Sequence, residues 1–136
     1  MPICINWRSR CGKTTVINLL KKQGYQTIPE VLTLLFDEAK QNNCLEEFWF
    51  ASNSLAFRMK LMEKQLALEN SLDKNKFAFL DRSTIDVVAF GNYYNIKMPH
   101  YITDVAKKDM YAIIFFLDHC QFICITNTTF VARKNR

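Results

Sequence analysis

The run Ile3-Cys4-Ile5-Asn6-Trp7-Arg8-Ser9-Arg10-Cys11-Gly12-Lys13-Thr14-Thr15 decides how this chain is read. A short apolar segment enters a loop that closes on Gly-Lys-Thr-Thr. An amphipathic stretch with Val16, Leu19 and Leu20 on one face follows. This is the second half of G-x-x-x-x-G-K-[ST], a P-loop, in the strand–loop–helix setting the motif requires. Backbone N–H groups of such a loop and of the helix after it point at a phosphate chain. Lys13 supplies a charge for the β- and γ-phosphates, and Thr14 a hydroxyl for Mg²⁺. Arg10, Cys11, Gly12 and Thr15 complete the candidate phosphate-binding set. Where the motif has its first glycine this chain has Trp7, and residues 8–11 include no other glycine. That glycine serves a turn with positive φ, so either Trp7 is strained or the loop takes another path. Arg8 and Arg10 either replace lost N–H donors by contacting phosphate directly or are solvated. The alternative to a phosphate loop is the capped start of an ordinary helix.

A second motif fits the first. Phe77-Ala78-Phe79-Leu80-Asp81 is an apolar run ending in an acid, the form of a Walker B strand. Its acid would emerge at the carboxyl edge of a sheet, near the Mg²⁺ of the P-loop, and ligands bind at that edge in open α/β sheets. Thr14 and Asp81 are therefore the candidate metal ligands. The other reading of Asp81 is a turn-forming acid. Arg82 beside it can grip a substrate anion or form a surface salt bridge. Glu30, just after the second predicted strand, can act as general base toward a hydroxyl or simply favour a helix start. Asp86 either orients Arg82, meets substrate or caps a helix.

Periodicity predicts strands at 3–6, 25–28, 77–80 and 111–117, and helices at 13–23, 31–40, 45–72, 85–93 and 101–108. In the long helix Leu45, Phe48, Leu55, Met59, Met62 and Leu66 form one apolar stripe. Gly24 marks a helix stop, Gly91 interrupts the fourth helix, and Ser83 or Thr84 is its cap. Strands alternating with helices argue for an α/β fold with a parallel sheet covered on both faces.

Length and composition fit one globular domain: 136 residues, 49% hydrophobic and 23% charged. The net charge of +5 suits an anionic partner. The basic residues are scattered rather than arranged in a stripe, which fits a nucleotide and argues against nucleic acid. The longest apolar stretch is far short of a membrane span, and no signal-peptide pattern is visible. Five irregularly spaced cysteines suit reduced thiols in a cytoplasmic protein. His119, Cys120 and Cys124 lack the paired spacing of a zinc site.

The order of motifs carries a family resemblance. Cys11-Gly12-Lys13-Thr14-Thr15 with Leu19 and Gly24-Tyr25, Ile28-Pro29-Glu30, the Arg58…Glu63-Lys64-Gln65-Leu66-Ala67-Leu68-Glu69 helix, Phe79-Leu80-Asp81-Arg82-Ser83 with Asp86 and Ala89-Phe90, and Ile114-Phe115-Phe116-Leu117-Asp118 fall in the order of a family of small P-loop proteins. The chain resembles the AAA-type ATPase-like P-loop NTPases, related to the nicotinamide riboside kinase domain and more distantly to deoxynucleoside kinases. The resemblance implies an ATP- and Mg²⁺-binding domain with a kinase-type parallel sheet, strand order 2-3-1-4, flanked by helices. It assigns Gly12, Lys13, Thr14 and Thr15 to the phosphate loop and Asp81 to the Walker B acid. Glu30 and Arg82 fall on the acceptor side.

The likeness covers residues 3–118. Residues 119–136 depart from the family's arginine-bearing lid and last elements, with Arg133 and Arg136 the only late arginines. The expectation is a P-loop domain over 1–118, then an atypical tail from truncation or a frame-shift that leaves the sheet incomplete at its C-terminal side. Functionally, the sequence suggests ATP binding with phosphoryl transfer to a small hydroxylated acceptor, or ATP hydrolysis. The alternatives are a nucleotide-binding or interaction module without turnover and an inactive remnant.

Overall fold

The computed structural model describes residues 1–6, 12–108 and 111–116. Four strands, β1 (Pro2–Asn6), β2 (Gln26–Ile28), β3 (Ala78–Asp81) and β4 (Ile113–Phe116), form one sheet in the order β2-β3-β1-β4. Every pairing is parallel, as the resemblance implied. Six helices join them: α1 (Lys13–Lys22), α2 (Val31–Gln41), α3 (Leu45–Ala51), α4 (Leu55–Asn70), α5 (Thr84–Tyr93) and α6 (His100–Lys107). Parallel neighbours need such crossovers, because a tight turn cannot return the chain to the same end of the sheet.

Helix ends follow local chemistry. α1 closes in a Schellman arrangement: the Gly24 N–H donates to Lys21 O at 3.0 Å and the Tyr25 N–H to Leu20 O at 3.2 Å. Gly24 sits at φ 89°, a conformation a side chain would strain. α5 runs unbroken through Gly91. A Cβ built there would stand 3.0 Å from Met98 Cγ, so the small residue makes room for a packed methionine.

The single helix expected over 45–72 is two helices. Ser54 caps the second, its Oγ accepting the Phe57 N–H at 3.1 Å. The break resets the helical phase, so the predicted stripe does not hold. Phe57, Leu61 and Met62 are buried in α4, whereas Leu55 is exposed. With Phe48 of α3, Val31 and Leu35 of α2, Val87 of α5 and Ile102 of α6, these residues form the main helical core. A smaller cluster of Ile28, Ala78 and Leu80 joins the sheet to Leu68 and Leu72. Phe79, pointing the other way along β3, meets Tyr25 edge-on at 5.3 Å. At the sheet edge, Ile113, Ile114 and Phe115 of β4 are exposed, contrary to the expectation of a strand covered on both faces. Residues 117–136, including the predicted tail, Arg133, Arg136 and the His119–Cys120–Cys124 group, lie outside the described residues.

Ser54→Ala tests the break by its sign. Loss of the cap is expected to lower unfolding free energy by about 1 kcal/mol in a denaturant titration. In one continuous helix, the same change would raise it.

Candidate functional site

Strand register sets the stage. Ile5 of β1 lies opposite Asp81 of β3, and Leu80 lies opposite Ile28 of β2. The carboxyl ends of these strands are therefore level, and the residues just beyond them, Glu30 and Arg82, emerge on the same edge as the start of α1.

Gly12 is the N-cap of α1 at φ 83°, in the left-handed region. A Cβ there would be strained, which gives the motif's second glycine its reason. Among the described residues no side chain caps this helix, and its first turn carries no acid. Its leading N–H groups and the positive end of its dipole thus face the sheet edge without a competing carboxylate from their own helix. Lys13 is buried, only 8% exposed, whereas Thr14 and Thr15 are exposed in the first turn. Trp7, Arg8, Arg10 and Cys11 lie outside the described residues.

Asp81, at 3% exposure, ends β3. Its Oδ1 is buried with no hydrogen-bond partner among the described residues. Burial raises its pKa. The Lys13 charge opposes that rise, Glu30 adds to it, Arg82 opposes it and Asp86 adds to it again. A desolvated carboxylate oxygen without a donor invites a cation. With the Thr14 hydroxyl two residues after Gly12, the available donors are hard oxygens, which suit Mg²⁺. The residues therefore fit the metal that the motif implies.

Glu30 and Arg82, predicted separately on the acceptor side, are brought together. Arg82 Nε donates to Glu30 Oε1 in a partly buried ion pair, and Thr33 Oγ1 donates to Glu30 Oε2 at 3.2 Å. The Arg82 guanidinium also lies 4.9 Å from the centroid of the Phe90 ring. Arg82 sits at φ 76°, a strained backbone for a bulky residue. Its N–H continues the ladder to Ile5 O at 3.3 Å, which holds the turn in place. Asp86 caps α5: its Oδ2 accepts from the Ser83 N–H at 2.8 Å and the Ser83 Oγ at 2.9 Å. Of the three readings of Asp86, the structure shows the cap.

Sequence reasoning missed a polar network behind the site. Gln65 Nε2 donates to Glu69 Oε1 at 2.6 Å, and the Tyr111 hydroxyl donates to Glu69 at 2.9 Å. The same hydroxyl accepts the Thr84 N–H at 3.1 Å. α4, the start of α5 and the approach to β4 are thereby pinned together. Burial raises the Glu69 pKa, while Gln65 and Tyr111 hold it down. The signal was available: Arg58, Gln65 and Glu69 share a helical phase with the buried Leu61 and Met62. Burial also pushes the Cys4 thiol beneath this edge up to about 11, which makes it a packing residue rather than a nucleophile.

Two cavities open beside the edge. One, of about 220 Å³, is bordered by Glu30, Arg82, Asp86, Phe90 and Gln65. The other, of about 630 Å³, is walled by Phe36, Phe48, Phe57 and Tyr94. Arg58 lines both. Neither is bordered by Lys13 or Asp81; the smaller one reaches the carboxyl edge of the sheet at Glu30 and Arg82.

Asp81→Asn separates the stability of this site from its chemistry. The folded-state pKa of Asp81 is raised, so its contribution is most favourable below the ordinary carboxylate range and is lost as pH rises through the raised value. At pH 7 the amide is expected to raise unfolding free energy by about 1 kcal/mol, the order of an unsatisfied buried acceptor. It should also flatten the loss of stability above the ordinary carboxylate range. Melting curves from pH 4 to 8 check both.

Among the described residues no helix is long and apolar enough to cross a membrane, and no cluster of His, Cys, Asp and Glu could by itself hold a metal ion. No curated protein matches the chain. A protein-family model described as an AAA domain matches residues 9–132, most of the chain. Together with the parallel 2-3-1-4 sheet and the Gly12-Lys13-Thr14 helix start, that match places the chain in the AAA-domain family of small P-loop NTPases, as a nucleotide-binding P-loop protein.

Proposed function

We propose that this chain binds Mg-ATP along the carboxyl edge of the sheet and transfers the γ-phosphoryl group to a small hydroxylated acceptor in the adjoining cavity. One observation carries the reading: the Glu30–Arg82 pair stands where the phosphate edge meets the 220 Å³ cavity. A pure ATPase needs only a water at that point, whereas a walled cavity lined by a carboxylate and a guanidinium suits a bound acceptor.

Each residue has a part that its position supports. The N–H groups after Gly12 and the Lys13 ammonium hold the β- and γ-phosphates. Asp81 and Thr14 would hold Mg²⁺, directly or through water; when bound, the ion neutralises charge on the phosphates. Arg82 carries its guanidinium toward the transferred group, where such a charge stabilises the transition state. Glu30 takes the acceptor's proton at Oε2, the oxygen now bonded by Thr33, once an acceptor hydroxyl replaces that threonine. Gln65, Glu69 and Tyr111 keep α4 and α5 fixed around the cavity.

A second reading, nucleotide binding without turnover, is favoured by one specific feature. Both Glu30 oxygens already have donors, Arg82 and Thr33, and Trp7 stands in place of the loop's first glycine.

Lys13→Ala is expected to weaken ATP binding roughly 10–100-fold, the worth of a charge-assisted contact, with the circular dichroism spectrum unchanged. Unaltered affinity for a fluorescent ATP analogue would remove Lys13 from the site. Glu30→Gln is expected to keep ATP affinity and lose about 100-fold or more in phosphoryl transfer across a panel of hydroxylated acceptors. Binding with neither transfer nor phosphate release in the unsubstituted protein would decide for the second reading.

A further inference from the structure

Arg58 is, beside Asp81, a charged group that folding buries with an atom lacking a hydrogen-bond partner among the described residues. It lies on α4 with 8% of its surface exposed. Its Nε is buried and has no hydrogen-bond partner among the described residues. No carboxylate among them forms an ion pair with it. The two acids bordering the same cavity are otherwise engaged: Glu30 holds Arg82, and Asp86 caps α5. Its guanidinium carbon lies 5.3 Å from the centroid of the Tyr94 ring. A ring face attracts a cation but accepts none of its five N–H groups in the way an oxygen does. Burial accordingly lowers the pKa of the guanidinium, with Tyr94 acting the other way. Burying an unpaired charge is among the costlier things a fold can do, and a ligand anion is what would compensate it.

The surroundings describe the rest of that ligand. Arg58 and Tyr94 stand on the wall shared by the 220 Å³ and 630 Å³ cavities. The larger is walled by Phe36, Phe48 and Phe57, with Phe48 edge-on to Phe36 at 5.7 Å and to Phe57 at 5.2 Å. A space of that size takes a small organic molecule, and its aromatic walls favour a flat or apolar body. A guanidinium matches a carboxylate or phosphate through its planar fork.

We propose that Arg58 anchors an anionic group, a carboxylate or phosphate, on an acceptor whose aromatic body lies among Phe36, Phe48, Phe57 and Tyr94. This rests on the acceptor-cavity reading above and makes it specific: the acceptor is an aromatic anion, not a neutral alcohol. Arg58 selects and positions; Glu30 and Arg82 remain beside the reacting hydroxyl.

The test titrates the whole chain, and its Arg58→Met and Arg58→Lys variants, with benzoate, phenyl phosphate, benzyl alcohol and inorganic phosphate, followed by NMR. ATP affinity and melting temperature are measured alongside. Benzoate or phenyl phosphate is expected to bind at least tenfold tighter than benzyl alcohol, with inorganic phosphate weaker than phenyl phosphate; the better aromatic anion identifies the anionic group. Arg58→Met should erase the preference for anions, leave benzyl alcohol and ATP binding unchanged, and melt no lower than the parent protein. Arg58→Lys should keep part of the preference. Equal binding of benzyl alcohol and the aromatic anions would overturn the proposal, as would no binding of either anion. So would an Arg58→Met protein that melts well below the parent and still prefers anions. Anion binding through Arg58 in a protein that transfers no phosphoryl group would uphold this subsite and sink the phosphoryl-transfer reading.

Discussion

The rest of this structure depends on one carboxylate oxygen that is buried at the edge of the sheet without a donor among the described residues. Asp81 ends the strand between β1 and β2, and its Oδ1 is buried with no hydrogen-bond partner among the described residues. Burying it raises its pKa, and the charge of Lys13 is the largest influence in the other direction. The register that levels Ile5 with Asp81 also puts the start of α1, Arg82 and Glu30 on one rim. Shift β3 by one residue and Asp81 would point to the other face of the sheet, since side chains alternate along a strand. The sheet is thus less a scaffold under a site than the device that determines which charges face one another.

The same logic runs outward from that rim. Glu30 and Arg82 neutralise each other, Asp86 satisfies the start of α5, and Glu69 is met by Gln65 and Tyr111. Each of these groups has a structural partner, and each partner removes a reason to expect a ligand there. Asp81 Oδ1 and Arg58 Nε lack such partners among the described residues, and they belong to side chains of opposite charge type. One sits at the carboxyl edge and one at the cavity wall, which agrees with the proposal of a cation-loaded nucleotide on one side and an anion on the other. Strain tells a similar story, because Arg82 adopts φ 76° at the junction of the two compartments. Backbone of that kind is retained where the surroundings over-determine it.

How far the chain disclosed this in advance depended on the range of the interaction. Gly12, Lys13, Asp81, Glu30 and Arg82 were legible because each belongs to a short motif at a strand end. Their placement at one edge follows from position along the chain, although the mutual pairing of Glu30 and Arg82 did not. Strand order came from the resemblance, since no spacing rule distinguishes 2-3-1-4 from its permutations. The break at Ser54 was hidden because apolar residues on both sides keep a roughly continuous period. Arg58, Gln65 and Glu69 stood in the sequence only as part of a helix that carries the resemblance, and their burial was not foreseen because polar residues in a long helix are ordinarily solvated; only the phase set by the Ser54 cap turns them inward. Tyr111 was read as the first residue of an apolar strand, and its hydroxyl's partners lie 27 and 42 residues away in sequence.

Calorimetry of the intact chain with ATP, with and without Mg²⁺, tests the central claim most directly. Saturable heat at micromolar to low-millimolar nucleotide, with affinity strengthened by the metal, is expected if Asp81 and Lys13 face a metal-bound triphosphate. Absence of heat at millimolar ATP, or affinity indifferent to Mg²⁺, would contradict it.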